Sequence, residues 1–192
     1  MDSKESALYS CFSSHRDYLH YMVLPNCRDF NNYYENKIGI GKHEWSVEVY
    51  RHFVNAMESM NNVIDYLFFD NFDDVSNMGI DDFRKRFSMK HQFMLDVADI
   101  ANAYKHSQRA RYDKKKSITV INNDKMKARD ISCSKLVMTD SKIILNFEFN
   151  QRYYNSFLMA FEFWLSYQSS HYPLDAESSI IQSLIDMGGS SS

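Results

Sequence analysis

The sequence predicts a mainly α-helical protein, a helical bundle of about five to six helices with a small antiparallel β-hairpin or three-stranded sheet inserted near 117–149. Low glycine and proline content favours long helices, since only 5 glycines and 2 prolines occur among 192 residues. Apolar residues recur at three- and four-residue steps outside the insertion, and alternate with polar residues within it. With 44% hydrophobic residues, we expect one domain over 1–187 and a flexible tail at 188–192.

The first part of the chain predicts two helices before a glycine break at 39–41. Residues 5–23 place His15 among apolar residues on one face, and Pro25 is expected to end this helix. Residues 27–38 repeat the spacing and predict a short second helix.

Two long helices follow, over about 44–71 and 82–108, separated by a loop at 71–80 that is rich in Asn, Asp, Ser and Gly. Asp81 or Asp82 would cap the second of them. The first carries a polar stripe beside its apolar one, and this stripe is either a solvated face or a lining that meets the second helix. Its members are Arg51, Asn55, Glu58, Asn62 and Asp65.

The last part of the chain combines strands and helices. Residues 117–121, 131–138 and 143–149 predict strands. Residues 151–169 return to helix, and a short final helix capped by Asp175 carries a narrow apolar stripe. That stripe would dock on the bundle or on a partner.

Composition narrows the functional classes. Three distant cysteines without a Cys-x-x-Cys motif argue against disulfides and structural zinc and indicate a reducing compartment. There is no apolar run of about 20 residues and no signal peptide, so we expect a cytoplasmic protein without membrane association. Phosphate-loop, dinucleotide and hydrolase motifs are missing, and the 7 histidines are scattered. We therefore predict no cofactor and no metal.

Charge is strongly segregated along a chain whose net charge is only −3. The stretch 53–83 contains acids but no Lys or Arg, whereas 105–129 has a local charge of +7, from nine bases and two acids. The basic segment predicts an anion-binding surface or, in the alternative, a solvated loop after a helix C-terminus. Its bases are Lys105, Arg109, Arg111, Lys114, Lys115, Lys116, Lys125, Lys127 and Arg129.

A polar trio marks the end of the second long helix. Asp99, Asn102 and His106 stand at i, i+3 and i+7, so they share one helical face. The opposite face is apolar, which suits a core. The trio is the strongest candidate for a site.

The stretch Asn102-Ala-Tyr-Lys-His106 resembles the motif region of HEPN domains, and the resemblance covers roughly 44–108. Their signature is Arg-Asn-x-x-x-His, or a looser Arg-x(4–6)-His, and Ala101 stands where it has Arg. A literal match to the looser form, Arg86 to His91, puts the two side chains about 140° apart on a helix. The resemblance implies a small helical bundle, often dimeric, of the kind found in bacterial toxins and defence ribonucleases.

The resemblance implies RNA cleavage without a metal, with His106 as acid–base residue beside Asn102. Arg109, as a catalytic residue, or Lys105 would supply the positive charge of the absent motif arginine. RNA-binding candidates are Lys105, Arg111, Lys114, Lys115 and Lys116, with Glu58 and Asn62 across a groove. The alternative at this site is structural, with Asn102 and His106 forming hydrogen bonds that fix helix packing.

The sequence leaves two candidate functions. The first is a HEPN-like protein that binds or cleaves RNA, as a homodimer with facing His106 sites. The alternative is a non-enzymatic helical module that binds a protein partner, which the 11 methionines and the apolar stripe of the last helix favour. In that case Ile181 and Leu184 would carry the interaction.

Overall fold

The computed structural model describes residues 12–36, 43–112, 132–139, 142–170 and 173–189. Two strands form an antiparallel hairpin, in which Ser132 pairs with Phe149 and Thr139 with Lys142. A π-helical turn, Leu19–Val23, joins the first two helices. The elements in chain order are α1 His15–Tyr18, α2 Leu24–Glu35, α3 His43–Asp70, α4 Phe72–Val75, α5 Ile80–Lys90, α6 Phe93–Tyr112, β1 Ser132–Thr139, β2 Lys142–Phe149, α7 Gln151–Gln168 and α8 Pro173–Gly189.

The predicted fold class needs correction, although the protein is mainly helical as expected. Since α1, the π-helical turn and α2 form one continuous helix, the described chain contains seven separate helices rather than five to six. Of the two predicted forms of the insertion, the described residues show the hairpin, with two antiparallel strands over 132–149. The predicted strand at 117–121 lies outside the described residues.

Pro25 does not end the first helix, contrary to expectation. It lies at the start of α2, directly after the π-helical turn and within one continuous helix. The preceding turn is π-helical, and the Leu24 N–H bonds to the Leu19 carbonyl five residues earlier. This change of register lets the helix continue through the proline.

The helix predicted over 82–108 is two helices, α5 and α6. The break is at His91, whose backbone angles (φ −120°, ψ 80°) are not helical. The imidazole packs among aromatic rings, with its centroid 4.9 Å from that of Phe87 and 4.6 Å from that of Phe163. Tertiary packing therefore ends the helix without a local Gly or Pro.

The core surrounds α3, which packs against α2, α5, α6 and α7. At one end Phe53 lies 4.3 Å from Phe149 and 6.0 Å from Phe157, ring centre to ring centre. Phe149 ends β2, so this contact anchors the hairpin to the bundle. Among the large apolar residues, Met22 and Leu165 remain 38% and 39% exposed. Within the described ranges no helix is both long and apolar enough to cross a membrane.

The final helix, α8, docks on the bundle. Ile181 and Leu184 are buried, and Arg86 Nη1 donates to the Leu184 carbonyl oxygen at 2.9 Å. Of the two alternatives for its apolar stripe, the structure shows docking on the bundle. The helix extends to Gly189, so the first two residues expected in the tail, 188 and 189, belong to α8.

Candidate functional site

The outer face of α6 carries the predicted polar residues. Asp99 and Asn102 are exposed, whereas Val97, Ile100 and Ala101 are completely buried. A spacing of three residues brings Asp99 and Asn102 to the same side of the helix. The change from core to solvent therefore falls between Ala101 and Asn102, two consecutive residues.

The remaining motif residues belong to the same helix, which continues to Tyr112. At about 100° per residue, positions 102, 106 and 109 lie within an arc of about 60°. Lys105 and Arg111 are also in α6, but the side chains from 103 onward lie outside the described part. Lys114, Lys115 and Lys116 fall in 113–131, of which nothing is described.

A buried carboxylate holds this part of α6 against α7. Asp96 is 6% exposed and accepts hydrogen bonds from Arg152 Nε at 3.1 Å and Nη2 at 2.7 Å. Ser156 Oγ donates to the same carboxylate at 2.6 Å. Partial desolvation raises the pKa of the neighbouring Asp99, whose residue is largely exposed, and the Asp96 charge raises it further, while Arg152 lowers it. The polar face of α6 thus begins at the turn where Asp96 is hydrogen-bonded to α7 and its charge is paired with that of Arg152.

On α3, Asn62 contacts α1, and the charge of Glu58 acts on the same residue of α1. Asn62 hydrogen-bonds with the Tyr18 hydroxyl, whose pKa burial raises to about 12, and Glu58 and Asp65 act on it through their charges. Asp65 also accepts a hydrogen bond from Arg84 Nε at 2.6 Å. Part of the polar stripe of α3 therefore forms contacts with other helices, and Asn62 uses its side chain to bind Tyr18 of α1.

The second motif match, Arg86 to His91, is structural. Arg86 bonds to the backbone of α8 and pairs with Asp82 at 2.7 Å. His91 turns into the aromatic contacts described above, and burial, followed by the charge of Lys90, lowers its pKa. The two side chains serve different contacts and do not converge on a site.

The sequence interpretation missed a polar group that joins α1, α3, α7 and α8. We call it the His15 cluster, and its members are His15, Arg16, Asp70, Tyr167 and Glu177. His15 is 3% exposed; its Nδ1 lies 2.5 Å from Asp70 Oδ2 and its Nε2 lies 2.8 Å from the Tyr167 hydroxyl. Only one signal could have indicated it, a histidine in the apolar stripe of an amphipathic helix.

Among the described residues, no group of three or more His, Cys, Asp or Glu side chains could hold a metal ion. Cys27 is buried, and burial raises the pKa of its thiol. A buried thiol with a raised pKa is a poor nucleophile and a poor ligand.

In comparisons with protein-family models, curated proteins and solved structures, no significant match was found.

Proposed function

We propose that the chain is a HEPN-like helical protein that binds RNA along the outer face of α6 and the basic segment that follows. Within this proposal, His106 is the acid–base residue of a metal-independent cleavage. The observation that carries it is the division of α6 between buried Ala101 and exposed Asn102. Asn102 is exposed to solvent there, and helical spacing predicts the same side of α6 for His106.

The chemistry needs an acid–base group and a cation. The ribose 2′-hydroxyl attacks phosphorus and gives up its proton, the phosphorane charge is stabilised, and the 5′-oxygen leaves with a proton. His106 would exchange these protons. Because Ala101 is buried, the cation must come from another position, and Lys105 and Arg109 are the nearest bases in α6.

Cleavage is tested with labelled single-stranded RNA in EDTA, using the full chain, His106→Ala and His20→Ala. His20 is an exposed histidine outside α6 and serves as the matched control. We expect His106→Ala to lose at least about 10²-fold in rate, the lower end for general acid–base catalysis, and His20→Ala to lose nothing. Equal cleavage rates in all three proteins would contradict a catalytic role for His106.

RNA binding is tested by its salt dependence. Each phosphate contact with a single strand contributes about 0.7 to the slope of log K against log salt. Replacing Lys114, Lys115 and Lys116 by Gln should therefore reduce the slope by up to about 2. Lys85→Gln, at an exposed position of α5, should leave it unchanged. An interaction with RNA that is absent or insensitive to salt would contradict RNA binding. The proposal also includes a homodimer, which analytical ultracentrifugation would detect by its sedimentation.

A second candidate function is a protein-binding module. Large apolar side chains stand exposed on α7, where Leu158, Met159 and Leu165 are 39%, 54% and 39% exposed. Since Ile181 and Leu184 of α8 are buried, α7 replaces α8 as the candidate surface. A partner captured by the wild-type chain should be lost with Met159→Gln and retained with Asn155→Gln, and retention in both would count against this surface.

A further inference from the structure

The β-hairpin presents two regular strand edges. Its strands, β1 and β2, have eight residues each and pair along their whole length without a bulge or a proline. Within the described residues no third strand joins the sheet. Each strand therefore directs alternate backbone N–H and C=O groups away from its neighbour. A long, regular edge of this kind is able to pair with a further strand.

The positions of β2 alternate between an apolar face and a polar face. Phe149, the last residue of β2, is buried beside Phe53 in the bundle core. Because positions in a strand alternate with a period of two, every second position before 149 shares its face. A strand that pairs with β2 must match these faces, since a slip of one residue exchanges them. The positions on the face of Phe149 are Ile143, Leu145 and Phe147.

A second copy of β2, the partner strand, matches both faces. In an antiparallel pair with its twofold axis at Leu145, this residue lies opposite the partner's Leu145. Ile143 then lies opposite the partner's Phe147, and Lys142 lies opposite the partner's Glu148. Pairs between aromatic and β-branched residues and pairs of opposite charge both stabilise a sheet. The register covers 142–148, and each charged position in it meets its opposite.

The edge of β1 lacks this self-complementarity. Its only charged residue is Lys135, and it contains no carboxylate. A register of the same length over 132–138 has its twofold axis at Lys135, which places this residue opposite the partner's Lys135. Like charges directly opposite each other destabilise a sheet. The edge of β2 is therefore the one that suits a second copy.

We propose that two copies of the chain associate through antiparallel pairing of β2 with β2, which joins their hairpins into a four-stranded sheet. The inference names the surface of the homodimer in the proposed function and rests on that part of it; RNA binding and His106 do not enter. A twofold edge contact uses the β2 edge of both copies, so the assembly closes as a dimer. A sheet of three or more strands is also more stable than an isolated hairpin.

Charge reversal tests the register, with the dimer dissociation constant measured by analytical ultracentrifugation. Lys142→Glu and Glu148→Lys each place like charges at both symmetric contacts. Each should raise the Kd by about 2- to 30-fold, the range for losing two cross-strand charge pairs. The double variant restores opposite charges and should recover the wild-type Kd. Lys135→Glu, on β1, is the matched control and should leave the Kd unchanged.

Equal Kd values in all of these proteins, or a double variant that dimerises no better than the single variants, would overturn the proposal. A chain that stays monomeric at every concentration would overturn both this inference and the homodimer. The RNA cleavage and salt-dependence assays would be unaffected by either result, so failure of the interface and failure of the RNA proposal can be told apart.

Amide hydrogen exchange of the wild-type chain, at low and high concentration, identifies the edge. As the dimer forms, protection should rise at the alternate amides of β2 that do not bind β1. The outward amides of β1 should stay unprotected, because β1 remains an edge strand in the four-stranded sheet. A dimer whose outward β2 amides stay unprotected, or in which the outward amides of β1 and β2 are protected equally, would overturn the proposal.

Discussion

An arginine at position 101, where the proposed HEPN-like motif would have one, should destabilise the fold. Ala101→Arg places a guanidinium where the native side chain is completely buried, next to Ile100 and one turn from Val97. Overpacking a core position costs about 1–3 kcal/mol. If the guanidinium stays inside without a partner, leaving a buried charge uncompensated adds about 3–5 kcal/mol.

The neighbouring position supplies the control. Asn102→Arg introduces the same side chain one residue later, at an exposed site, where surface substitutions change stability by about 0.5 kcal/mol or less. Helix propensities differ by less than about 0.7 kcal/mol per residue, so they cannot account for the expected difference.

Urea denaturation followed by circular dichroism measures both variants, and the midpoints give the free energies of unfolding. We expect Ala101→Arg to be less stable than Asn102→Arg by at least about 1 kcal/mol, the lower end of the overpacking range. Equal midpoints would show that position 101 can present an arginine to solvent. The inference that Lys105 or Arg109 must supply the charge would then be wrong.

Two further predictions concern the contacts around α6. Ser156→Ala removes a hydrogen bond to the buried Asp96 carboxylate and should lower the free energy of unfolding by about 1.5–3 kcal/mol. Urea titrations measure this loss, and Ser166→Ala, at an exposed position of α7, should change the free energy of unfolding little. Equal losses in the two variants would contradict the role of the Ser156 hydrogen bond. The folded-state pKa of His91 is lowered, so its contribution to stability is complete above the unfolded pKa of about 6.5 and declines as pH falls toward the folded value. Denaturation midpoints between pH 7.5 and 5 should therefore fall less for His91→Phe than for the wild type, and identical pH profiles would contradict the prediction.

Local sequence patterns predicted those helices whose bounds depend only on residues within the helix. The apolar repeat of α3 has no glycine or proline to interrupt it, and the observed His43–Asp70 lies within one residue of the expected bounds. That Ala101 and Asn102 lie on different sides of the helix also follows from helical spacing alone, since consecutive residues differ by about 100°. The candidate residues of α6 could therefore be named from the sequence, although their chemistry remains a proposal.

Contacts between distant segments decided the rest. The break at His91 depends on an aromatic ring from α7, and continuation through Pro25 depends on a π-helical turn that no local residue signals. Asn62 meets Tyr18 of α1, because the direction of a polar stripe is set by the packing of the whole helix. His15 and Tyr167 are 152 residues apart in the chain. A periodic pattern says which side of a helix is polar, but only the packed structure says what that side meets, because the partners come from other helices.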